Sequence, residues 1–107
     1  MHTKTVYLAG QITGDEGYYN KFLAAAKNLT AAGFAVMNPA VLPEDGFSCE
    51  AYMRISGAMQ KECEAVCFLP GWLKSRGARA EYIQATVDEQ EVFEYADWLA
   101  GWERKNA

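Results

Sequence analysis

Lys4–Gly10, KTVYLAG, is the stretch on which the fold turns. An apolar run through Val6, Tyr7 and Leu8 that stops at a glycine is the pattern of a strand covered on both faces, as in a parallel sheet. The next residues, Gly10 to Gly17, hold three glycines with Thr13, Asp15 and Glu16, a loop with helix N-cap candidates. Tyr19, Phe22, Leu23, Ala26 and Leu29 then recur at helical spacing, and Gly33 suits the position just past a helix end. Phe34 to Met37 reads as a second strand ended by Asn38-Pro39.

Downstream the pattern repeats. Val41 to Phe47 is a turn-rich connection, and Ser48 can cap a helix carrying Cys49, Tyr52, Met53, Ser56, Met59 and Cys63 on one face. Glu64 to Leu69 (EAVCFL) is a third strand, halted by Pro70-Gly71. A helix follows from about Gly77 to Asp88 with Ala78, Tyr82 and Ala85 inward, then a fourth strand at Glu91 to Tyr95. Tyr95, Trp98, Leu99 and Trp102 close the chain as a short amphipathic helix. Strands alternating with helices predict the α/β class: a flavodoxin-like or Rossmann-like parallel sheet of four or five strands, order 2-1-3-4, with helices on both faces. That order puts the topological switch between the first and third strands, where such sheets bind ligands. The two unusual loops of the sequence leave those two strands.

Length and composition narrow the chemistry. The chain of 107 residues predicts a single domain over 1–107. Its 50% hydrophobic and 13% aromatic content supports a core and excludes disorder. The one histidine, His2, stands at a terminus, which argues against a Ser-His-Asp triad, a Cys-His pair or a histidine-based metal site. Three cysteines without a C-x-x-C suggest a reduced, cytoplasmic protein. There is no long apolar run to meet a membrane, and a net charge of −4 disfavours duplex nucleic acid. No cofactor and no metal are implied, so an enzyme here would use a carboxylate.

Two features could carry such chemistry. In Pro70–Glu81, PGWLKSRGARAE, residues Ser75, Arg76 and Gly77 open a helix, where free backbone N–H groups and the dipole favour an anion. Lys74, Arg76 and Arg79 make the segment basic, so it reads either as a phosphate or carboxylate seat or as an ordinary serine-capped helix with solvated cations. Glu81 lies three residues after Ala78 and four before Ala85, on the inward face, where a carboxylate needs a partner or a purpose. It reads either as a pocket-lining acid or as a boundary glutamate bonded to a neighbour. Tyr7 and Tyr52 read first as core. Trp98 and Trp102 suit packing or a subunit contact, and the acidic run Asp88 to Glu94 a solvated surface. Cys63 and Cys67 read as inert hydrophobes.

VYLAGQITG at residues 6–14, NPA at 38–40, and C-x-A-V-x-x-L-P-G-W-x-x-S-x-G-A-x-x-E at 63–81 together resemble the nucleoside 2-deoxyribosyltransferase superfamily. The match is nearest to a small branch met in phages and prophages, and spans roughly residues 4 to 95. The resemblance implies that Glu81 is the nucleophile at C1′ of a deoxyribose and that Tyr7 orients it. It implies a phosphate held by Ser75 and Gly77 with Arg76 nearby. Gly10, Ile12 and Gly14 of the first loop, and Gly71 and Trp72 of the second, would lie along the substrate. It also implies a homo-oligomer, a dimer or a higher even number.

One position departs from the pattern. Where the family places an aspartate that helps protonate the leaving base, this chain has Ser56, which can hydrogen-bond a base but has no accessible pKa for general acid catalysis. The expected function is therefore cleavage or transfer at the N-glycosidic bond of a deoxynucleoside 5′-monophosphate or deoxynucleoside. The alternative is a nucleotide-binding or sensing module without turnover. A third reading is an interaction protein using the Trp98/Trp102 tail.

Overall fold

Four short strands form the sheet; the two central ones are apolar runs covered on both faces, and the two edge strands stay partly exposed. The computed structural model describes residues 3–106. Strands β1 (Thr5–Ala9), β2 (Ala35–Met37), β3 (Ala65–Phe68) and β4 (Glu91–Glu94) pair in parallel in the order β2-β1-β3-β4. Helices α1 (Tyr18–Ala31), α2 (Cys49–Lys61), α3 (Arg76–Val87) and α4 (Tyr95–Lys105) complete the series. The α/β class, the strand order and the helical layers are those the sequence predicts. The sheet has four strands among the described residues.

Alternation along β1 sorts the two layers. Val6 and Leu8 face α1 and α4, where they join Phe22, Ala25, Leu29 and Cys67 under Phe34 and Trp98. Tyr7 and Ala9 face the other way, toward α2 and α3, with Val66, Phe68, Ala85 and Met59. Successive residues of a strand point to opposite faces, and burial on both explains the unbroken apolar run.

Element ends follow local chemistry. Ser48 Oγ accepts from the Ala51 amide at 3.0 Å and Ser75 Oγ from the Ala78 amide at 3.1 Å, so both helices begin at serine caps. The cap starts α3 one residue before the expected Gly77. Gly33, at φ +102, ends α1 as predicted; its amide reaches the Thr30 carbonyl, and the Phe34 amide reaches Leu29, both at 3.0 Å. Two 3-10 turns, Pro39–Val41 and Trp72–Lys74, lie where the sequence suggests only irregular chain. The first is capped by Asn38 Oδ1, which accepts from the Ala40 amide at 3.0 Å.

The surface differs from expectation on three helices: Tyr19 of the α1 stripe and Met53 of the α2 face are exposed. Tyr82, expected inward on α3, is exposed, and so are Ile83 and Val87, while only the small Ala78 and Ala85 are buried on that helix. Small residues let α3 lie close to the sheet and leave its bulk outside. No described helix is long and apolar enough to cross a membrane. His2 lies outside the described residues.

Candidate active site

Above the carboxyl ends of β1 and β3 the chain leaves a groove of about 840 Å³. Its position is the switch point of the sheet, where adjacent strands send their connections to opposite faces. Of the residues singled out from sequence, Tyr7, Gly10, Ile12, Ser56, Ser75, Arg76, Gly77 and Glu81 line it together. They come from β1, the loop after it, α2 and the start of α3.

At the floor of the groove Tyr7 donates its phenolic hydrogen bond to Glu81 Oε2. Tyr7 is fixed on β1 by pairing with Met37 on one side and Val66 on the other, and is 1% exposed. Glu81 arrives from the second turn of α3, half-buried. Burial pushes its carboxyl pKa up to about 7, against the opposing effect of the Tyr7 bond, which favours the ionised form. The Tyr7 phenol is raised well above its ordinary range, first by burial and then by the charge of Glu81 and the bond to it. The Ser56 hydroxyl, on the facing turn of α2, is close enough to that phenol to act in the opposite direction. A carboxyl held near neutrality at a groove floor can exchange a proton or attack an electrophile at physiological pH.

The rim over α3 is cationic. Lys74 and Arg76 line the groove beside Ser75 and Gly77, at the amino end of the helix. Ser75 Oγ accepts from the Ala78 amide with one lone pair and keeps its hydroxyl hydrogen for donation, so a capping role and an anion-binding role are compatible. Arg79 is absent from the lining: its guanidinium donates to the Leu73 carbonyl and braces the turn before the helix.

Three expected residues lie elsewhere. Trp72 is carried by the 3-10 turn toward the edge strand β4, where it stacks on Tyr82 at 5.4 Å and its indole N–H reaches Glu94 at 3.4 Å. It lines a separate cleft of about 950 Å³ around the edge strand β4, with Phe93, Trp98 and Phe34. Gly71, at φ +86, makes the bend that sends it there. Gly14, at φ +85, sits in the turn closed by the Asp15 amide on the Ile12 carbonyl at 3.2 Å, and is not part of the groove lining. Gly10 lines the groove, and core packing keeps it small, because a Cβ there would stand 3.1 Å from Leu69 Cβ and 3.3 Å from Phe22 Cζ.

The rest of the lining was not foreseen. It is apolar and aromatic, built from Tyr18, Pro39, Phe47, Tyr52 and Met53. Tyr52 donates to the Pro43 carbonyl and meets Phe47 edge-on, with centroids 6.0 Å apart. Pro39 and Phe47 come from the connection after β2, Tyr18 from α1, and Tyr52 and Met53 from α2. Glu44 is the one other carboxylate in the lining among the described residues. Cys49 also borders the groove and is exposed, whereas Cys63 and Cys67 are buried, their thiols pushed up by burial to about 11 and about 12.

Residues 4–94 match the model of a family described as Domain of unknown function (DUF4406). The chain belongs to that family. No curated protein matches it. The part matched to DUF4406 contains every groove residue named above and stops at the end of β4, before α4.

Proposed function

We propose that this DUF4406 chain is nucleoside 2-deoxyribosyltransferase-like and acts on the N-glycosidic bond of a deoxynucleoside 5′-monophosphate or deoxynucleoside. The observation that carries the reading is the Tyr7–Glu81 pair in a groove whose lining also holds the cations Lys74 and Arg76 and the aromatics Tyr18, Phe47 and Tyr52. A nucleotide has the matching layout: an anion, a sugar and a planar base. Lys74, Arg76 and the α3 amino end suit the phosphate, the aromatic wall suits the base, and C1′ then falls toward Glu81.

Ionised Glu81 attacks C1′ through a carboxylate oxygen. The bond to the base nitrogen breaks, its electron pair leaves with the base, and the base takes a proton from solvent. Water, or a nitrogen of a second base, then displaces Glu81 from C1′ and restores the carboxylate. Tyr7 stabilises the ionised glutamate before attack and holds its rotamer. No cofactor enters this scheme.

Ser56 favours a second reading, a binding or sensing module without turnover, because a serine in that place cannot protonate the leaving base. The exposed apolar surface of α3 supports assembly into a homo-oligomer, and three free cysteines suit a reducing cytoplasm. One experiment separates the first two readings. A panel of deoxynucleotides and deoxynucleosides is incubated with concentrated protein, and free base is measured by chromatography. Release that Glu81→Gln abolishes supports catalysis. Calorimetric binding that survives Glu81→Gln, with no base released, supports the sensor. Neither release nor binding would sink both.

A further inference from the structure

Gln60, on the last turn of α2, is 1% exposed and is the one fully buried polar side chain among the described residues. Its amide nitrogen donates to the backbone carbonyl of Glu81 at 2.9 Å and to Gln90 Oε1 at 3.2 Å. Gln90 answers with its own amide, donating to the Gln60 and Cys63 carbonyls, both at 2.8 Å. A carbonyl only accepts, so these contacts fix which end of each amide points where. Buried polar groups strengthen one another when all are satisfied, and no buried side-chain nitrogen or oxygen of the described residues lacks a partner.

The anchor point is specific. α2 presents Ser56 to the Tyr7 phenol and, one turn later, Gln60 to the main chain of Glu81. One helix face therefore addresses both members of the Tyr7–Glu81 pair. A carbonyl inside a helix has a second lone pair free after its intrahelical bond, and the Gln60 amide is placed to take it. α3 is otherwise held by the buried Ala78 and Ala85, by the Arg79 bond to the Leu73 carbonyl and by Tyr82 against Trp72, none of which bonds the Glu81 main chain.

We propose that Gln60 is a positioning residue for Glu81: by gripping the Glu81 carbonyl, locked in turn by Gln90, it sets the distance between the Glu81 carboxyl and Tyr7. Its importance for turnover rests on the reading of Glu81 as the reacting carboxylate. The positioning itself does not, and can be measured on the free protein.

The test follows the Glu81 carboxyl carbon by NMR across pH, with the signal assigned through Glu81→Gln, in the full chain and in Gln60→Met. Methionine keeps the length of the side chain and removes the donor. The expected result is a shift of the Glu81 midpoint by about half a pH unit or more, with displaced Tyr7 ring resonances. Gln90→Met, which leaves the bond from Gln60 to Glu81 in place, moves the midpoint less. Leu29→Ala, in the opposite layer, lowers stability and leaves the midpoint alone. If Gln60→Met does not fold, Gln60→Asn keeps the amide but shortens its reach, and is read the same way. A Gln60 variant that loses stability while Glu81 titrates as in the wild type overturns the proposal. Absence of base release in the deoxynucleotide panel bears on the proposed reaction and leaves this result untouched.

Discussion

Tyr7 and Glu81 are 74 positions apart in sequence and share one hydrogen bond, from the phenol on the central strand to a carboxyl on α3. The bond opposes the effect of burial. Burial drives the Glu81 pKa upward, and the phenol draws it back toward the ordinary carboxyl range.

Tyr7→Phe removes that opposition. The glutamate then holds its proton to higher pH, and ionising it leaves a half-buried charge with a lost donor. Hydrogen bonds to charged groups contribute about 1.5–3 kcal/mol. The loss of stability is therefore expected to be larger at pH 8, where wild-type Glu81 is mostly ionised, than at pH 5. Urea unfolding at both values checks it, and an equal loss at each would contradict the role given to the bond.

Glu81→Gln probes the same site through linkage. The folded pKa of about 7 lies above the ordinary 4.5, so the native state binds the proton more tightly. The stabilisation this brings is fully present below about pH 4.5 and is lost as pH rises through about 7. Glutamine does not titrate, so the variant gains on the wild type across that window. Each pKa unit corresponds to about 1.4 kcal/mol, and partial exposure of the side chain reduces the total to about 1–2 kcal/mol. Parallel stability curves for the two proteins from pH 4.5 to 8 would exclude a buried, raised carboxyl.

The sequence made these two residues findable for different reasons. Glu81 stood out because helical spacing set a carboxylate between Ala78 and Ala85, which are both buried. Tyr7 reads as core by pattern and is core; the resemblance sets it beside Glu81, and the structure shows its hydroxyl bonded to that carboxyl. Ser48 and Ser75 were legible as caps because the capping bond is local. Trp72 lies by the edge strand and not in the groove, since motif adjacency says nothing about where along a sheet face a 3-10 turn delivers a side chain. Gln60 was missed although it follows Ser56 by one helical turn. A lone amide at the end of a helix reads as surface until its partners, 21 and 30 residues away, are known.

The end of α3 carries strain that can be relieved. Glu89 is the one described non-glycine residue with positive φ, at 55°, and it occupies the place that Gly33 fills after α1. The two ends share their bonding: the Gln90 amide reaches Ala85 at 2.9 Å and the Glu89 amide reaches Thr86 at 3.2 Å. Glu89→Gly removes a left-handed penalty of roughly 1–2 kcal/mol and adds about 0.5–1 kcal/mol of unfolded-chain entropy. A net gain of about 0.5–1 kcal/mol, seen as a Tm raised by a few degrees, is expected. An unchanged or lowered Tm would mean that the Glu89 side chain contributes contacts of its own.

Arg76 and Arg79 separate a phosphate seat from a diffuse positive field. Both lie in one basic segment, yet Arg76 lines the groove beside Ser75 and Gly77, while Arg79 is turned away to the Leu73 carbonyl. A contact to the 5′-phosphate acts at short range, whereas a general attraction depends on net charge and is screened within about 8 Å at physiological salt. Arg76→Gln should therefore weaken a deoxynucleoside 5′-monophosphate by about tenfold and leave the matching deoxynucleoside unchanged, as measured by calorimetry. Arg79→Gln removes the same charge and should leave both affinities within about twofold of wild type, with a small loss of thermal stability instead. Equal losses from the two variants would show that the rim attracts anions without seating them. A loss shared by monophosphate and nucleoside in Arg76→Gln would move the arginine from the phosphate to the sugar or base.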